Sequence, residues 1–323
     1  MTQGAAGRMD SIDYFRGLSV ILMVLVDYVG GIASVPGWLK HAPDIGLTVA
    51  DLVAPAFIFA IGLTYGMSFG RRAEREGLGK TYYHFIARFL AIAGIGAIFT
   101  AGAALVAPGE ARGAWSVLQA IGVAGLITLA LIRTDTLARL LGGLALLVAY
   151  QLVLDRFWLS QVLSSSHGGL QASLGWGAML LISTVLADLF HRAQRGRFVY
   201  VAASAALLAM GVLASLVVPL SKNRVSLSYV LISVAISALV FLAFDVFSRR
   251  FALRLPLLRW WGRNPLLLYV IHILLLVAQL LPGSQTWYAG APLWSAFAQF
   301  AAEFAVMSLI AWRLDRAGAH VKL

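Results

Sequence analysis

SIDYFRGLSVILMVLVDYVGG (residues 11–31) and LTVADLVAPAFIFAIG (residues 47–62) are two strongly apolar stretches, and the short loop between them contains WLKHAPDIG (residues 38–46). Stretches of this length and polarity match the hydrocarbon thickness of a bilayer. The first places Asp27 at its middle, the second opens with Asp51, and the loop carries His41. An ionisable group inside a spanning segment costs at least about 2.5 kcal/mol, so Asp27 reads as a functional group or as a structural acid paired with another helix.

The rest of the chain reads the same way. Of 323 residues, 60% are apolar and only 12% are charged, about half the charge fraction of a soluble domain; mean hydropathy is +0.85. Apolar runs recur along the whole length. The fold class expected is all-α integral membrane, because backbone polar groups in lipid must be paired within each segment. Ten spans are predicted, at 15–34, 48–69, 83–107, 114–132, 137–154, 173–190, 198–219, 226–247, 264–281 and 293–312, in one transmembrane domain covering 1–323. The first apolar run lacks a small-residue cleavage pattern and reads as a retained helix. Cysteine is absent, which excludes disulfides, thiolate chemistry and cysteine-ligated metal. No phosphate-binding glycine loop, H-E-x-x-H or nucleophile elbow occurs.

Net charge is +11 and unevenly placed. Twenty of the twenty-five Lys and Arg residues, from Arg8 to Lys322, fall on one set of connecting segments; Lys40, Arg112, Arg156, Lys222 and Arg224 fall on the other. The positive-inside bias then predicts that both termini are cytoplasmic and that His41 lies outside. SRRFALRLPLLRWWGRN (residues 248–264) is a basic, aromatic cytoplasmic loop. It reads as topology plus a Trp260–Trp261 interfacial anchor, or as a dock in which Arg259 and Arg263 meet an anionic, phosphate-bearing cofactor. RFWLSQVLSSSHGGLQAS (residues 156–173) reads as a long, flexible outer loop, either a plain connection or the lining of an outer cleft.

Individual side chains sharpen this. Arg16 and Asp27 are eleven residues apart, close to three turns, so one helix face joins them over about 16 Å. His41 has the acid–base range a general base needs at neutral pH, and is equally readable as an ordinary loop histidine. Thr48-x-x-Asp51 fits a capping box, so Asp51 caps the second helix, orients His41, or does both. His272 and Glu303 fall at matching depths of about 12–15 Å on two predicted helices and are expected to meet as structural glue; alternatively His272 and Asn264 line a ligand channel. Asn264 before Pro265 also fits a helix N-cap. Arg88, Asp188 and Asp245 sit near cytoplasmic ends, where snorkelling or local pairing is expected.

The run of residues 11–31, the block HAPDIGLTVADLVAPAFIFAIG (residues 41–62) and GRNPLLLYVIH (residues 262–272) together resemble the heparan-α-glucosaminide N-acetyltransferase family and its bacterial members. The likeness is dense over roughly the first 70 residues and patchy afterwards. It implies an integral-membrane enzyme, within the wider transmembrane acyltransferase group, that transfers acetyl from cytosolic acetyl-CoA to a glucosamine amine on the far side. It implies His41 as the catalytic histidine and Asp51 as its acid partner. Arg16 matches the arginine of the wider group's R-x10-H pattern, with Asp27 at the histidine position. The candidate site is therefore His41, Asp51 and Asp27 for catalysis, with Arg16, Arg259, Arg263, Asn264 and His272 for the co-substrate. The family pattern has asparagine where Asp27 stands, and bulkier aromatics where Ala54 and Ala56 stand, which widens the expected pocket. No counterpart of the lysosomal enzyme's luminal domain is seen, so the expected acceptor is a small amino sugar or short cell-wall saccharide rather than heparan sulfate. Expected partners are that sugar, CoA and the lipid bilayer of a bacterial inner membrane, with no nucleic acid, in a homodimer. Two other readings stand beside this one: a proton-coupled secondary transporter using Asp27, Asp51 and Glu303, and an O-acetyltransferase of an envelope glycan.

Overall fold

The computed structural model describes residues 10–106, 114–192, 194–280 and 283–319. Arg8, Arg112 and Lys322, counted in the charge asymmetry, lie outside the described residues, as does the side chain of Arg195. All regular structure among the described residues is helical. In chain order the α-helices are α1 (Asp10–Gly30), α2 (Val53–Glu76), α3 (Leu78–Val106), α4 (Val117–Leu131), α5 (Thr136–Val153) and α6 (Leu159–Leu163). They continue with α7 (Gly169–His191), α8 (Gln194–Ala214), α9 (Leu227–Arg250), α10 (Pro256–Arg263), α11 (Pro265–Leu276) and α12 (Leu293–Arg316).

Among the described residues, seven helical runs are long and apolar enough to cross a membrane: Ala50–Glu76, Leu78–Leu105, Thr136–Leu163, Ser166–His191, Arg197–Ala214, Leu227–Arg250 and Leu293–Arg316. The protein is thus an integral membrane protein of the helical class. An eighth is reached if Pro256–Arg263 and Pro265–Gln279, bent by 84°, count as one. Ten spans are predicted from the sequence. The difference lies in α1, which carries Asp13, Arg16 and Asp27, in α4, which is only 15 residues long, and in the bend at Asn264.

Local chemistry accounts for several boundaries. Ser116 accepts from the backbone of Gln119 while the Gln119 side chain accepts from that of Ser116, a complete capping box at the start of α4. Asp135 caps α5 by accepting from Leu137 and Ala138. The expected flexible loop at 156–173 is instead helical almost throughout: a π turn at Leu154–Trp158 runs into α6, and a 3-10 turn at Ser166–Gly168 leads into α7. The apolar residues interleaved in that stretch sustain the helix where its serines and glycines suggest a loop. The expected loop at 248–264 likewise contains α10, started by Pro256 at its first turn.

The backbone gathers into two compact units. Of the described residues, unit 1 takes 10–41, 48–53 and those from 240 to 319; unit 2 takes 42–47 and those from 54 to 239. In unit 1, α1 and α10 meet backbone to backbone. A Cβ on Gly17 would stand 2.0 Å from the Leu258 carbonyl oxygen, and one on Gly262 would stand 1.9 Å from that of Asp13, so neither position admits a side chain. The buried rings of Phe15 and Phe241 pack edge to face nearby, centroids 5.3 Å apart. Trp261 is fully buried and stacked on Phe304, with its indole N–H donating to Ser308. It is a core residue of unit 1 and not the expected interfacial anchor, because the turn of α10 directs its ring toward α12. Unit 2 is built around α7, whose side chains are buried almost without interruption from Ala172 to Ala187, and an aromatic cluster of Tyr65, Phe85 and Phe89.

Candidate functional site

The centre of the site is the join between loop and second helix in unit 1. His41 Nδ1 lies 2.9 Å from Asp51 Oδ1, with Asp51 completely buried and the His41 side chain 37% exposed. The other Asp51 oxygen accepts from the Thr48 backbone N–H at 3.0 Å and lies 3.0 Å from the Thr48 hydroxyl. One carboxylate therefore closes the first turn and grips the imidazole at once. The Thr48 hydroxyl is also 2.7 Å from the Lys40 carbonyl, and Lys40 Nζ donates to the Ile32 carbonyl at 2.6 Å. These ties hold the chain on either side of His41. A carboxylate at Nδ1 selects the tautomer with its hydrogen there and leaves Nε2 as the basic nitrogen.

A second group of titratable side chains lies on α1, α11 and α12. His272 is completely buried and its Nδ1 lies 2.6 Å from Glu303 Oε1, the meeting expected from helix depth. Its Nε2 faces Asp27 Oδ2 at 4.0 Å, and Tyr269 donates its hydroxyl to that same oxygen at 3.1 Å. The sequence places Asp27 at the middle of a span. In the structure α1 ends at Gly30, so Asp27 stands in its last turn with its side chain 27% exposed. The reason is the glycine pair Gly30–Gly31, which stops the helix four residues short of the predicted end.

The residues expected to hold the co-substrate are mostly engaged within unit 1. Arg16 reaches Asp13 Oδ1 and the Gly262 carbonyl, both at 3.4 Å. Arg263 is paired with Asp315. Asn264 occupies the N-cap position of α11 without a side-chain cap bond; its amide donates to the Ala319 carbonyl at 3.1 Å instead. The sharp bend explains that correction, since it turns the Asn264 side chain away from the first N–H groups of α11. Arg259 keeps its Nε buried with no hydrogen-bond partner among the described residues. Beside these, Asp10, Ser11, Tyr14, Ser248, Arg249, Ala252, Leu253 and Arg254 line a cleft of about 410 Å³ at the start of α1 and the end of α9. Below it, buried Asp245 accepts from the Ser11 hydroxyl at 2.6 Å and from Arg249 Nε at 2.8 Å, which is the local pairing expected of it. Asp188 is likewise paired, with Arg139 in unit 2. Arg88 instead lies over the Phe89 ring, 5.9 Å from its centroid.

The six residues that follow His41 belong to unit 2 and are fastened there. Arg224 holds Asp44 through three contacts of 2.5–3.2 Å, Ser221 donates to Asp44 at 2.8 Å, Asn223 donates to the Pro43 carbonyl at 2.5 Å, and Gly46 N–H donates to the Leu220 carbonyl. The Arg224 hydrogen bonds hold the Asp44 carboxyl below its ordinary range, against an upward push from burial and with help from Ser221. The gripping turn is strained: Val225 is completely buried at φ +48°, a left-handed conformation that a β-branched residue adopts only where its surroundings impose it. Tyr150 donates to the Arg224 carbonyl at 2.6 Å and Gln151 accepts from the Leu227 N–H at 2.9 Å, which are such impositions. In the sequence Arg224 reads only as an outer charge, and nothing there signals this clamp.

Two comparisons bear on this arrangement. The family described as heparan-alpha-glucosaminide N-acetyltransferase, catalytic, matches residues 8–168. The mouse heparan-alpha-glucosaminide N-acetyltransferase is 45% identical over 67 residues, which is 20% of this chain and 10% of that protein. The human protein of the same name is 50% identical over 62 residues, 19% of this chain and 9% of its own length. These alignments span about a tenth of the length of the curated relatives.

Proposed function

The chain belongs, over residues 8–168, to the heparan-alpha-glucosaminide N-acetyltransferase catalytic family, and from that premise we propose a transmembrane acetyltransferase that moves acetyl from cytosolic acetyl-CoA to the amine of a glucosamine-type sugar on the outer side. The observation that carries this reading is the His41–Asp51 contact, with a buried carboxylate on one imidazole nitrogen and the ring partly open to its surroundings. A loop histidine without such a partner would be an unremarkable surface residue.

In this reading His41 Nε2 takes a proton from the sugar ammonium, and the freed amine attacks the thioester carbonyl carbon. A C–N bond forms, the C–S bond breaks, and the departing thiolate takes the amine's second proton to leave as CoA thiol. His41 returns its proton to solvent, so one proton is released per turnover. Positioning amine and thioester side by side supplies much of the acceleration. In this reading Arg259, and Arg249 and Arg254 of the cleft at the start of α1, offer donors to the co-substrate's phosphates, Arg249 through the nitrogens other than the Nε that holds Asp245. Arg16, Arg263, Asn264 and His272 would have to exchange internal partners to do so. The proposed layout has ten spans, both termini in the cytoplasm, and a bacterial inner membrane as its location.

The test is purified protein in lipid nanodiscs with radiolabelled acetyl-CoA and glucosamine. Alkali-stable N-acetylglucosamine is the expected product; an alkali-labile ester would point to O-acetylation, and no labelled sugar would sink the acetyltransferase reading. His41→Ala is expected to reduce turnover by on the order of 10²–10⁴-fold while CoA binding persists. Retained turnover removes His41 from the mechanism.

A further inference from the structure

We propose that Arg72 and Arg88 form a binding site for a phosphate ester, the chemistry shared by an acidic lipid headgroup and by CoA, in the seam between α2 and α3 of unit 2. The site needs nothing from the acetyltransferase reading.

Arg88 is the first half of it, because its charge is unspent. It belongs to the span Leu78–Leu105 and lies ten residues from the start of α3, which is about 15 Å along the helix. An arginine stays protonated in a protein, and a charge at that depth is costly unless it is paired. Among the described residues, no carboxylate lies within ion-pair distance of Arg88, and its buried Nε makes no hydrogen bond. A snorkelling arginine carries its head away into the interface. This one keeps its guanidinium carbon over the Phe89 ring, 5.9 Å from the centroid. The ring covers one face of the guanidinium and leaves its edge, the planar fork of N–H groups that matches two oxygens of a phosphate.

Arg72 is the second half. It stands on α2 four residues before Glu76, where that helix ends, and its Nε is likewise buried without a hydrogen-bond partner among the described residues. The charges of Arg72 and Arg88 both act on the imidazole of His84. The three basic groups therefore run as a row, about 6, 9 and 15 Å from the α2–α3 turn. One carboxylate answers the row: Glu76 lies 2.8 Å from Arg72 and 3.4 Å from Arg75. Three arginines against one glutamate leave the seam positive. Its floor is aromatic, with Phe69 edge to face on Tyr82 and Phe85, and Tyr65 stacked on Phe89 at 5.4 Å. The seam is also open. The Arg72 side chain is 29% exposed, Arg88 and His84 are part-exposed, and α3 turns most of its spanning stretch outward. An anion reaches the row from the surface of the unit without any internal cavity.

The experiment uses full-length protein in nanodiscs and two probes. Native mass spectrometry counts the phosphatidylglycerol retained from discs of equal parts phosphatidylcholine and phosphatidylglycerol. Calorimetry in discs of phosphatidylcholine alone gives the Kd of CoA. Arg88→Gln and Arg72→Gln are each expected to weaken binding of one of these ligands about tenfold or more, the worth of a hydrogen bond to a charged group. A lost preference for phosphatidylglycerol names the lipid as the source of the phosphate; a raised Kd names CoA; both together place the two ligands in competition for one site. Should Arg88→Gln fail to fold, Arg72→Gln, nearer the turn and part-exposed, is read in the same way. Unchanged lipid retention and an unchanged Kd in the variants that fold overturn the proposal, as does a wild-type protein that neither prefers phosphatidylglycerol nor binds CoA. A lipid preference that Arg88→Gln abolishes in a protein that never transfers acetyl leaves the phosphate site standing and overturns the enzymatic reading alone.

Discussion

Asp51 separates two kinds of contribution that one side chain makes. One oxygen serves the backbone at Thr48 and the other serves His41, so Asp51→Asn divides them. Its amide cannot accept at both faces, and the tautomer of His41 is no longer selected. The expected outcome is a fall in turnover on the order of 10²–10⁴-fold, with a loss of about 1–3 kcal/mol in stability from the disturbed buried bonds, read by kinetics and thermal melting. Thr48→Ala removes only the hydroxyl contacts and is expected to lower stability by about 1 kcal/mol with much less effect on rate. His41 and Asp51 were legible in the sequence because the contact is local: ten residues, a capping pattern and a tight loop leave little freedom. Asp27 was legible as unusual but not in its place, since hydropathy alone ran the helix past the two glycines that end it.

The strained turn 221–226 is expected to depend on its ion pair. Asp44 is held below its ordinary carboxyl range, so its contribution is fully present above the unfolded value near about 4. That contribution is lost as pH falls through the folded value beneath it. Asp44→Asn is expected to lower thermal stability at neutral pH by no more than about 1 kcal/mol, the pair being partly exposed. The difference from wild type is expected to vanish once the pH is below that folded value. A difference that persists in acid would assign the effect to the Ser221 hydrogen bond. This clamp was invisible in the sequence: Arg224 and Asp44 are 180 residues apart and belong to no periodic pattern. The α10 turn was hidden for another reason. Eight residues containing two tryptophans and two arginines look like a basic loop, and only a helix bent by 84° buries Trp261. His272 and Glu303, by contrast, could be matched in advance because both ride on long regular elements whose rise per residue is known.

At the level of the chain, polarity was the readable quantity and span number was not. Among the described residues seven helical runs satisfy length and hydropathy, while α1 misses through Asp13, Arg16 and Asp27. Asp13 and Arg16 pair with each other and Asp27 accepts from Tyr269, so polar groups satisfied inside the protein erode the signal by which a span is recognised. The basic segments predict cytoplasmic termini. Reporter fusions at both ends are expected to be active only as cytoplasmic markers, and an externally active fusion at either end would invert the sidedness assumed for His41 and the co-substrate.

Gly17 and Gly262 make one more demand. With backbones in direct contact, α1 cannot slip past α10 by a single residue without driving a carbonyl into a Cβ. Arg16 is attached to Gly262 at one end of α1, and Asp27 to Tyr269 at the other. Any stroke of the α10–α11 elbow must therefore carry α1 along as a crank carries its shaft, delivering a push at Arg16 to the Asp27 carboxylate about 16 Å away.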